Sequence, residues 1–302
     1  MNFALILVSG VDQTLSTAHI AHIQSLLDEM AIPMTDTPPR WLGQHQAAEI
    51  YLLDQLTTDQ LKTLKLFGTE QQIDIFCIAQ NNRRKALLLA DMDSTIIADE
   101  TLDNIAHIAG IGNKVADITA RAMNGELNFK EALRERVSML KGQPLSILKQ
   151  ALEETTLNSG AQTLIKTMAK HGATCVLVSG GFTMFTEYVA RKCGFAYNHG
   201  NILDVSDTEI LGTVRDPILD KSAKEDFLNH YMAKLSLTAA DTMAVGDGAN
   251  DLAMLDAAAL GIGYYPKPSL EKALRHTIKY SDLTTLLYLQ GFTKDKFIDE
   301  TY

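Results

Sequence analysis

Apolar and polar positions alternate in two different rhythms along the chain. Over residues 1–80, short apolar runs and amphipathic stretches predict a β-α-β-β-α-β unit. Phe3–Val8 forms an apolar strand, and Ser16–Met30 places Ile20, Ile23, Leu27 and Met30 on one helical stripe. A loop with Pro33, Thr35, Thr37, Pro38 and Pro39 follows. The pattern then predicts a strand over Ala47–Leu53, a helix over Thr58–Phe67 and a strand over Ile73–Ala79. The opening run MNFALILVSG lacks a basic lead-in and a cleavage-site pattern, so it is expected to be a first strand and not a signal peptide. The polar segment Gln80–Lys85 is expected to be a domain boundary, with Arg83-Arg84-Lys85 on a solvated linker.

From residue 86 onward, apolar strands alternate with long helical segments, which predicts an α/β fold with a parallel sheet and helices on both faces. Three strands end in the same way, an apolar run followed at once by polar or glycine-rich residues: ALLLA-DMDST, TCVLV-SGG and TMAV-GDGAND. The carboxyl ends of neighbouring parallel strands converge on one crevice. Between the first and second of these strands, residues 103–160 or so show helical periodicity without a clear strand, which predicts a small helical cap. A hairpin is expected over Ile202–Val205 and Glu209–Val214, turning at Ser206-Asp207-Thr208.

A length of 302 residues suits two domains, residues 1–80 and 85–302, the cap lying within the second. The net charge of −10 leaves no basic face for phosphate backbones, so nucleic acid is not expected as a partner. No apolar run is long enough to cross a bilayer, and no membrane association is expected. Cys77, Cys175 and Cys193 form no C-x-x-C pair, and two of them sit in apolar runs, which points to a reducing, cytoplasmic setting.

The strand ends carry the candidate chemistry. Asp91 and Asp93, two apart in an extended segment, point to one face, and each disfavours ionisation of the other. With Asp247 and Asp251 they form a hard, all-oxygen set without His or Cys, which suits Mg²⁺. Any one of these aspartates alone would read as a helix cap; four at one sheet edge do not. A carboxylate can attack phosphorus, and its neighbour can pass protons to and from the leaving oxygen. Ser179, Gly180 and Gly181 offer a hydroxyl and close-approaching N–H groups for phosphate oxygens, although alone they would read as a plain strand-to-helix turn. His19 and His22, three apart on a helix, lack further ligands and are expected to be ordinary surface or core residues. Tyr264-Tyr265-Pro266 reads as another strand end without assignable chemistry.

Together DMDST, SGG and GDGAND resemble the motifs of the haloacid dehalogenase-like (HAD) phosphatases. The longer form D-x-D-S-T-x-x-x-x-E narrows the resemblance, from about residue 85 onward, to the phosphoserine phosphatase family. The resemblance implies a Rossmann-like core, Mg²⁺ as cofactor, O-phosphoserine as substrate, and hydrolysis to serine at the last step of serine biosynthesis. It makes Asp91 the nucleophile and Asp93 the general acid/base. Asp91, the Asp93 carbonyl and Asp247 become metal ligands, with Asp251 and Asn250 in support. Lys224 is taken as the phosphate-binding lysine, because Asp220 and Leu228 fit the family spacing around it; Lys221 is the alternative. Glu100 would receive the substrate ammonium and Arg136 its carboxylate, with Phe129 and Met123 lining the pocket. Arg136 lies at the edge of its helix's apolar stripe, where either a ligand or a snorkelling side chain would account for it. The N-terminal unit resembles the ferredoxin-like, ACT-type modules that bind amino acids. SGVDQTLS lacks their later glycine, which leaves effector binding, homodimerisation and simple packing all open. A HAD enzyme acting on another small phosphate ester, or an inactive amino-acid sensor, are the alternative functions.

Overall fold

The computed structural model describes residues 2–123 and 126–298, without the side chains of Met123 and Lys221. Strands β1 (Phe3–Ser9), β2 (Arg40–Gly43), β3 (Ala47–Leu52) and β4 (Ile73–Ala79) form an antiparallel sheet in the order β2-β3-β1-β4. Helices Thr17–Glu29 and Thr58–Gln71 complete the β-α-β-β-α-β unit. The first helix buries Ile20, Ile23 and Leu27, as its spacing predicts. The N-cap, Ser16, accepts from the backbone N–H of His19, and the His19 ring accepts in return. His22 lies against Phe67, so the histidine pair is structural.

The second sheet is parallel throughout, in the order β12-β11-β10-β5-β6-β7. Its strands are β5 (Leu87–Ala90), β6 (Thr174–Phe182), β7 (Tyr197–Asn201), β10 (Thr242–Gly246), β11 (Leu260–Tyr264) and β12 (Thr277–Ile278). Alternate side chains go to opposite faces, as a two-residue period requires. Leu88 and Ala90 of β5 join one hydrophobic core, while Leu87 and Leu89 join another on the other side. The remaining strands, β8 (Leu203–Val205) and β9 (Ile210–Val214), form the expected hairpin.

Residues between β5 and β6 form helices Thr101–Ile108, Gly112–Met123, Phe129–Ser138 and Ser146–Glu154, then Ala161–Lys170 returns to the sheet. The two connections to this insertion pair with each other through Ile97 and Leu157. The hairpin braces its far side, where Gly142 donates to Ile210 and Ile210 donates to Gln143.

The join between the two sheets corrects the expectation of a solvated linker at Arg83, while Arg84 is exposed as expected. Arg83 donates to Glu49 at 2.8 Å and to the carbonyls of Tyr288 and Leu289, and Glu49 is fully buried. The guanidinium of Arg84 lies 3.3 Å from the centre of the Phe292 ring. A buried carboxylate, Asp74 of β4, accepts from the N–H groups of Lys279, Tyr280 and Ser281 and from the Ser281 hydroxyl. Strand β1 is buried on both faces: Leu5 and Leu7 meet the unit's own helices, and Ile6 and Val8 join the core that contains Leu286 and Tyr288.

Candidate active site

Strand order brings the motifs together, because β5 runs between β10 and β6. Directly after β5, Asp91 begins a wide turn over Met92–Ile96, with Ser94 in the left-handed region at φ 54°. Its carboxylate is almost fully buried. The Oδ1 atom accepts from the Met92 N–H at 2.8 Å and from Lys224 Nζ at 2.7 Å. One carboxylate oxygen is therefore anchored and the other, Oδ2, is without a hydrogen bond among the described residues.

From the end of β10 come Asp247 and Asp251. One oxygen from each of Asp91, Asp247 and Asp251 lies within 4.8 Å of the others, and all three residues are buried. Asp251 is held by Lys224 Nζ at 2.5 Å and by the N–H groups of Asp247 and Gly248. Only glycine fits at Gly246, where a Cβ would stand 2.4 Å from the Asp251 carboxyl carbon. Burial pushes the Asp91 carboxyl well above its ordinary range, and the Asp251 charge adds to this against the pull of Lys224. Burial raises Asp247 as well, opposed by Lys267. For Lys224, burial works against the charge, but Asp91 and Asp251 outweigh it and hold the ammonium above the usual lysine value. Lys224, and not only its sequence neighbours, therefore sits in the crevice; the side chain of the alternative, Lys221, lies outside the described residues.

Three hard carboxylates in one buried cluster fit a small divalent cation bound through oxygen, and the absence of His and Cys from the cluster does not suit zinc. The local charge points the same way. Asp91, Asp93, Glu100, Asp247 and Asp251 outnumber the cations Lys224, Lys267 and Arg136 around the crevice.

Asp93 is not part of this trio. Its Oδ1 accepts from the Thr101 N–H at 2.9 Å and from the Thr101 hydroxyl, and its Oδ2 accepts from Ser179 Oγ at 2.9 Å. Ser179 accepts in turn from the Gly181 N–H at 2.8 Å, where a Cβ on Gly181 would lie 3.1 Å from Asp93 Oδ2. Burial raises the Asp93 carboxyl despite the Thr101 hydrogen bonds that favour its anion. The first turn of helix Thr101–Ile108 is thereby tied to the strand end, a link the sequence did not reveal. A threonine at a helix start was its only signal.

Over the strand ends lies a cavity of about 460 Å³. It is lined by Asp91, Asp93, Asp247 and Asn250 from the strand ends, by Glu100, Phe129 and Arg136 from the insertion, and by Gly180 and Gly181. Phe129 packs over Gly180, where a Cβ would come within 3.1 Å of the ring. Met123 ends a helix that contributes to this lining, but its side chain is outside the described residues. Arg134 and Glu135 point elsewhere, to Asp216 and Arg121. Arg136 is half-buried, makes only a 3.3 Å contact to the Ala132 carbonyl, and has no ion pair within 4.0 Å among the described residues. Burial lowers its affinity for its proton, and the charges of Asp103 and Glu100 oppose the effect. Asp103, unremarked in the sequence, is raised by burial and opposed by Arg136.

Lys267 is the other residue that sequence reasoning missed. Its Nζ lies 3.0 Å from Asp247 Oδ2 and 3.2 Å from Glu100 Oε1. It follows Tyr264-Tyr265-Pro266, the strand end that had no chemistry attached.

Residues 88–256 match the sequence profile of the haloacid dehalogenase-like hydrolases. A phosphoserine phosphatase of Streptomyces coelicolor is 37% identical over 249 residues, 82% of this chain and 61% of that protein. The chain thus spans under two thirds of that relative's length. A probable phosphoserine phosphatase of Schizosaccharomyces pombe is 33% identical over 90% of this chain and 93% of its own length. Among solved structures, a HAD family hydrolase of Salmonella enterica serovar Typhi superposes with a TM-score of 0.85 at 28% identity, covering 95% of this chain and 98% of that one. With its three motifs side by side at the carboxyl edge of a parallel sheet, and relatives of this similarity, the chain belongs to the haloacid dehalogenase-like hydrolase family.

Proposed function

We propose that the protein is a Mg²⁺-dependent phosphomonoesterase that hydrolyses O-phospho-L-serine to L-serine and phosphate. The observation that carries this reading is the crevice itself: an anchored Asp91 with one open oxygen, in a cavity also lined by Glu100 and by an Arg136 without an ion pair among the described residues. Relatives named phosphoserine phosphatase support the choice of substrate.

In this reading Asp91 Oδ2 attacks phosphorus, an aspartyl-phosphate forms, and the bond to the serine oxygen breaks. Asp93, held towards its protonated form by burial, gives its proton to that oxygen. The same carboxylate then takes a proton from water, whose oxygen attacks phosphorus and releases Asp91. Lys224 stays protonated between Asp91 and Asp251 and meets a phosphate oxygen. Ser179 exchanges Asp93 for the phosphate when substrate is bound, and the Gly180 and Asn250 edges confine it. Glu100 receives the ammonium, and Arg136 receives the carboxylate through two parallel N–H groups. Mg²⁺ would be held by Asp91, Asp247 and the Asp93 carbonyl, with Asp251 behind them, and would supply the positive charge that lets a phosphate dianion enter an acidic crevice. Residues 1–80 serve as a packing module for the phosphatase core, which the two buried faces of β1 favour over an effector site. The enzyme is cytoplasmic in this reading, the compartment in which buried Cys77 and Cys175 stay thiols.

Phosphate release is the test. Phosphoserine should be turned over with Mg²⁺ and not with chelator, and Asp91→Asn should abolish turnover while leaving the fold intact. Equal turnover of phosphoserine and of an ester lacking both ammonium and carboxylate would sink the substrate assignment.

A further inference from the structure

We infer that Lys267 is a positioning residue for substrate specificity, one that holds Glu100 in place to receive the substrate ammonium. The inference rests on the phosphoserine reading above. Glu100 is half-exposed and stands on the connection into the helical insertion, where an unsupported glutamate would sample many rotamers. Its Oε1 accepts from Ser94 Oγ at 3.0 Å and from Lys267 Nζ at 3.2 Å. Its Oε2 has no hydrogen bond among the described residues and is left for a ligand on the cavity side.

Lys267 is itself fixed at three points. Its backbone N–H donates to the Asp247 carbonyl at 2.8 Å, and its ammonium meets the Asp247 carboxylate. Pro268 follows at the first position of helix Pro268–Ala273, which presets the backbone immediately after it. Just ahead, Tyr265 adopts φ 41°, a left-handed conformation rare for a bulky residue, and its N–H donates to the Ile278 carbonyl. Together these contacts turn the end of β11 back over the crevice. The Tyr-Tyr-Pro segment thereby gains a role: it delivers a cation to the point where the strand ends meet the insertion. Lys267 bridges Asp247, after β10, and Glu100, on the connection into the insertion, and so fixes Glu100 relative to the carboxylate cluster.

A positioning role makes a prediction that a phosphate-binding or purely structural role does not. In Lys267→Met, KM for phosphoserine should rise about tenfold, the loss of one charge-assisted contact, while kcat falls far less. Loss of the Asp247 contact acts on both esters alike, so at saturating Mg²⁺ KM for p-nitrophenyl phosphate, which has neither ammonium nor carboxylate, should rise several-fold less than KM for phosphoserine. Lys267→Arg should recover most of the phosphoserine affinity. In a Glu100→Gln background, Lys267→Met should add little, because the group it positions has lost its charge. Calorimetric binding of phosphoserine to Asp91→Asn, with and without Lys267→Met, reads the same loss without turnover. An equal KM rise for both esters, or additive effects with Glu100→Gln, would overturn the inference. Wild-type protein that fails to hydrolyse phosphoserine would instead overturn the functional reading beneath it.

Discussion

Replacing Lys224 by Met isolates the charge on which the crevice depends. The ammonium is 4% exposed and lies 2.7 Å from Asp91 and 2.5 Å from Asp251, whose side chains are 6% and 0% exposed. Methionine keeps the length of the stem and fills its volume, so what is lost is charge. Removing one partner of a buried ion pair costs roughly 3–5 kcal/mol, because the remaining charge is left unpaired. Here two carboxylates lose their cation, with Asp247 close by, so the upper end of that range is expected. For a chain of this size that corresponds to a fall in melting temperature of about 8 °C in chelator. Divalent cation should then return much of the loss, since a ligand at a hundred times its Kd stabilises the folded state by about 2.7 kcal/mol. The variant should also bind Mn²⁺ more tightly than wild type, having shed a competing cation. Turnover with Mg²⁺ should fall about 10²–10³-fold for loss of one donor to the transferring group. Thermal melts in chelator and in Mg²⁺, with Mn²⁺ binding followed by electron paramagnetic resonance, check all three. Lys221→Met serves as the comparison and should retain activity. If Lys224→Met melts within a degree or two of wild type in chelator and retains its turnover, Lys224 does not balance these carboxylates, and the charge argument for the site fails.

Arg136→Lys should raise KM for phosphoserine roughly tenfold or more while leaving p-nitrophenyl phosphate unaffected, because an ammonium cannot reproduce a bidentate carboxylate contact; steady-state kinetics on both esters check it. Asp74→Ala should cost about 3–5 kcal/mol in urea unfolding, because four donors from residues 279–281 lose a buried carboxylate. Hydrogen exchange should locate the loosening at β4 and residues 279–281, and unchanged protection there would count against the join as described. Burial, with help from the charges of Lys65 and Arg275, lowers His276 from 6.5 to about 3. It therefore stays neutral in the fold while the unfolded chain protonates. Its stabilising effect is complete above pH 6.5 and is lost as the pH falls from there towards 3, at about 1.4 kcal/mol per pH unit. Between pH 6.5 and 5, His276→Gln should lose about 2 kcal/mol less than wild type; parallel pH profiles in chemical denaturation would refute the assignment.

The parts of the site that could be read from the sequence are those in which one short segment carries its own chemistry. DMDST, SGG and GDGAND each follow an apolar run, so each announces both its strand and its position at the strand's end. Lys224 was reached only through the family resemblance, whose spacing Asp220 and Leu228 fit. Thr101, Asp103 and Lys267 were invisible for a common reason: their meaning lies in contacts between segments. Lys267 lies twenty residues beyond Asp247 and well over a hundred beyond Glu100, and nothing around it, apart from a following proline, marks it as more than a surface lysine.

The same physics explains the misreading of Arg83-Arg84-Lys85. A run of three basic residues between two domains reads as solvated when its neighbours in sequence are polar. Arg83 is covered by Glu49 on β3 and by the carbonyls of Tyr288 and Leu289, none of them near in sequence, while Arg84 lies exposed over Phe292. Glu49 offered a clue. It interrupts the apolar strand β3, and a carboxylate on a fully buried strand requires a cation brought to it from elsewhere. Arg40 and Arg83 both reach it, and burial would raise the Glu49 carboxyl were it not for the charge of Arg83, which with Tyr51 and Arg40 brings it below its ordinary value. The folded state therefore favours the Glu49 anion, an effect present above the ordinary glutamate pKa and lost as the pH falls through its lowered value. Arg83 is thus one tie between the N-terminal sheet and the core, Asp74 with residues 279–281 is another, and between them Ile6 and Val8 of β1 are covered by that core.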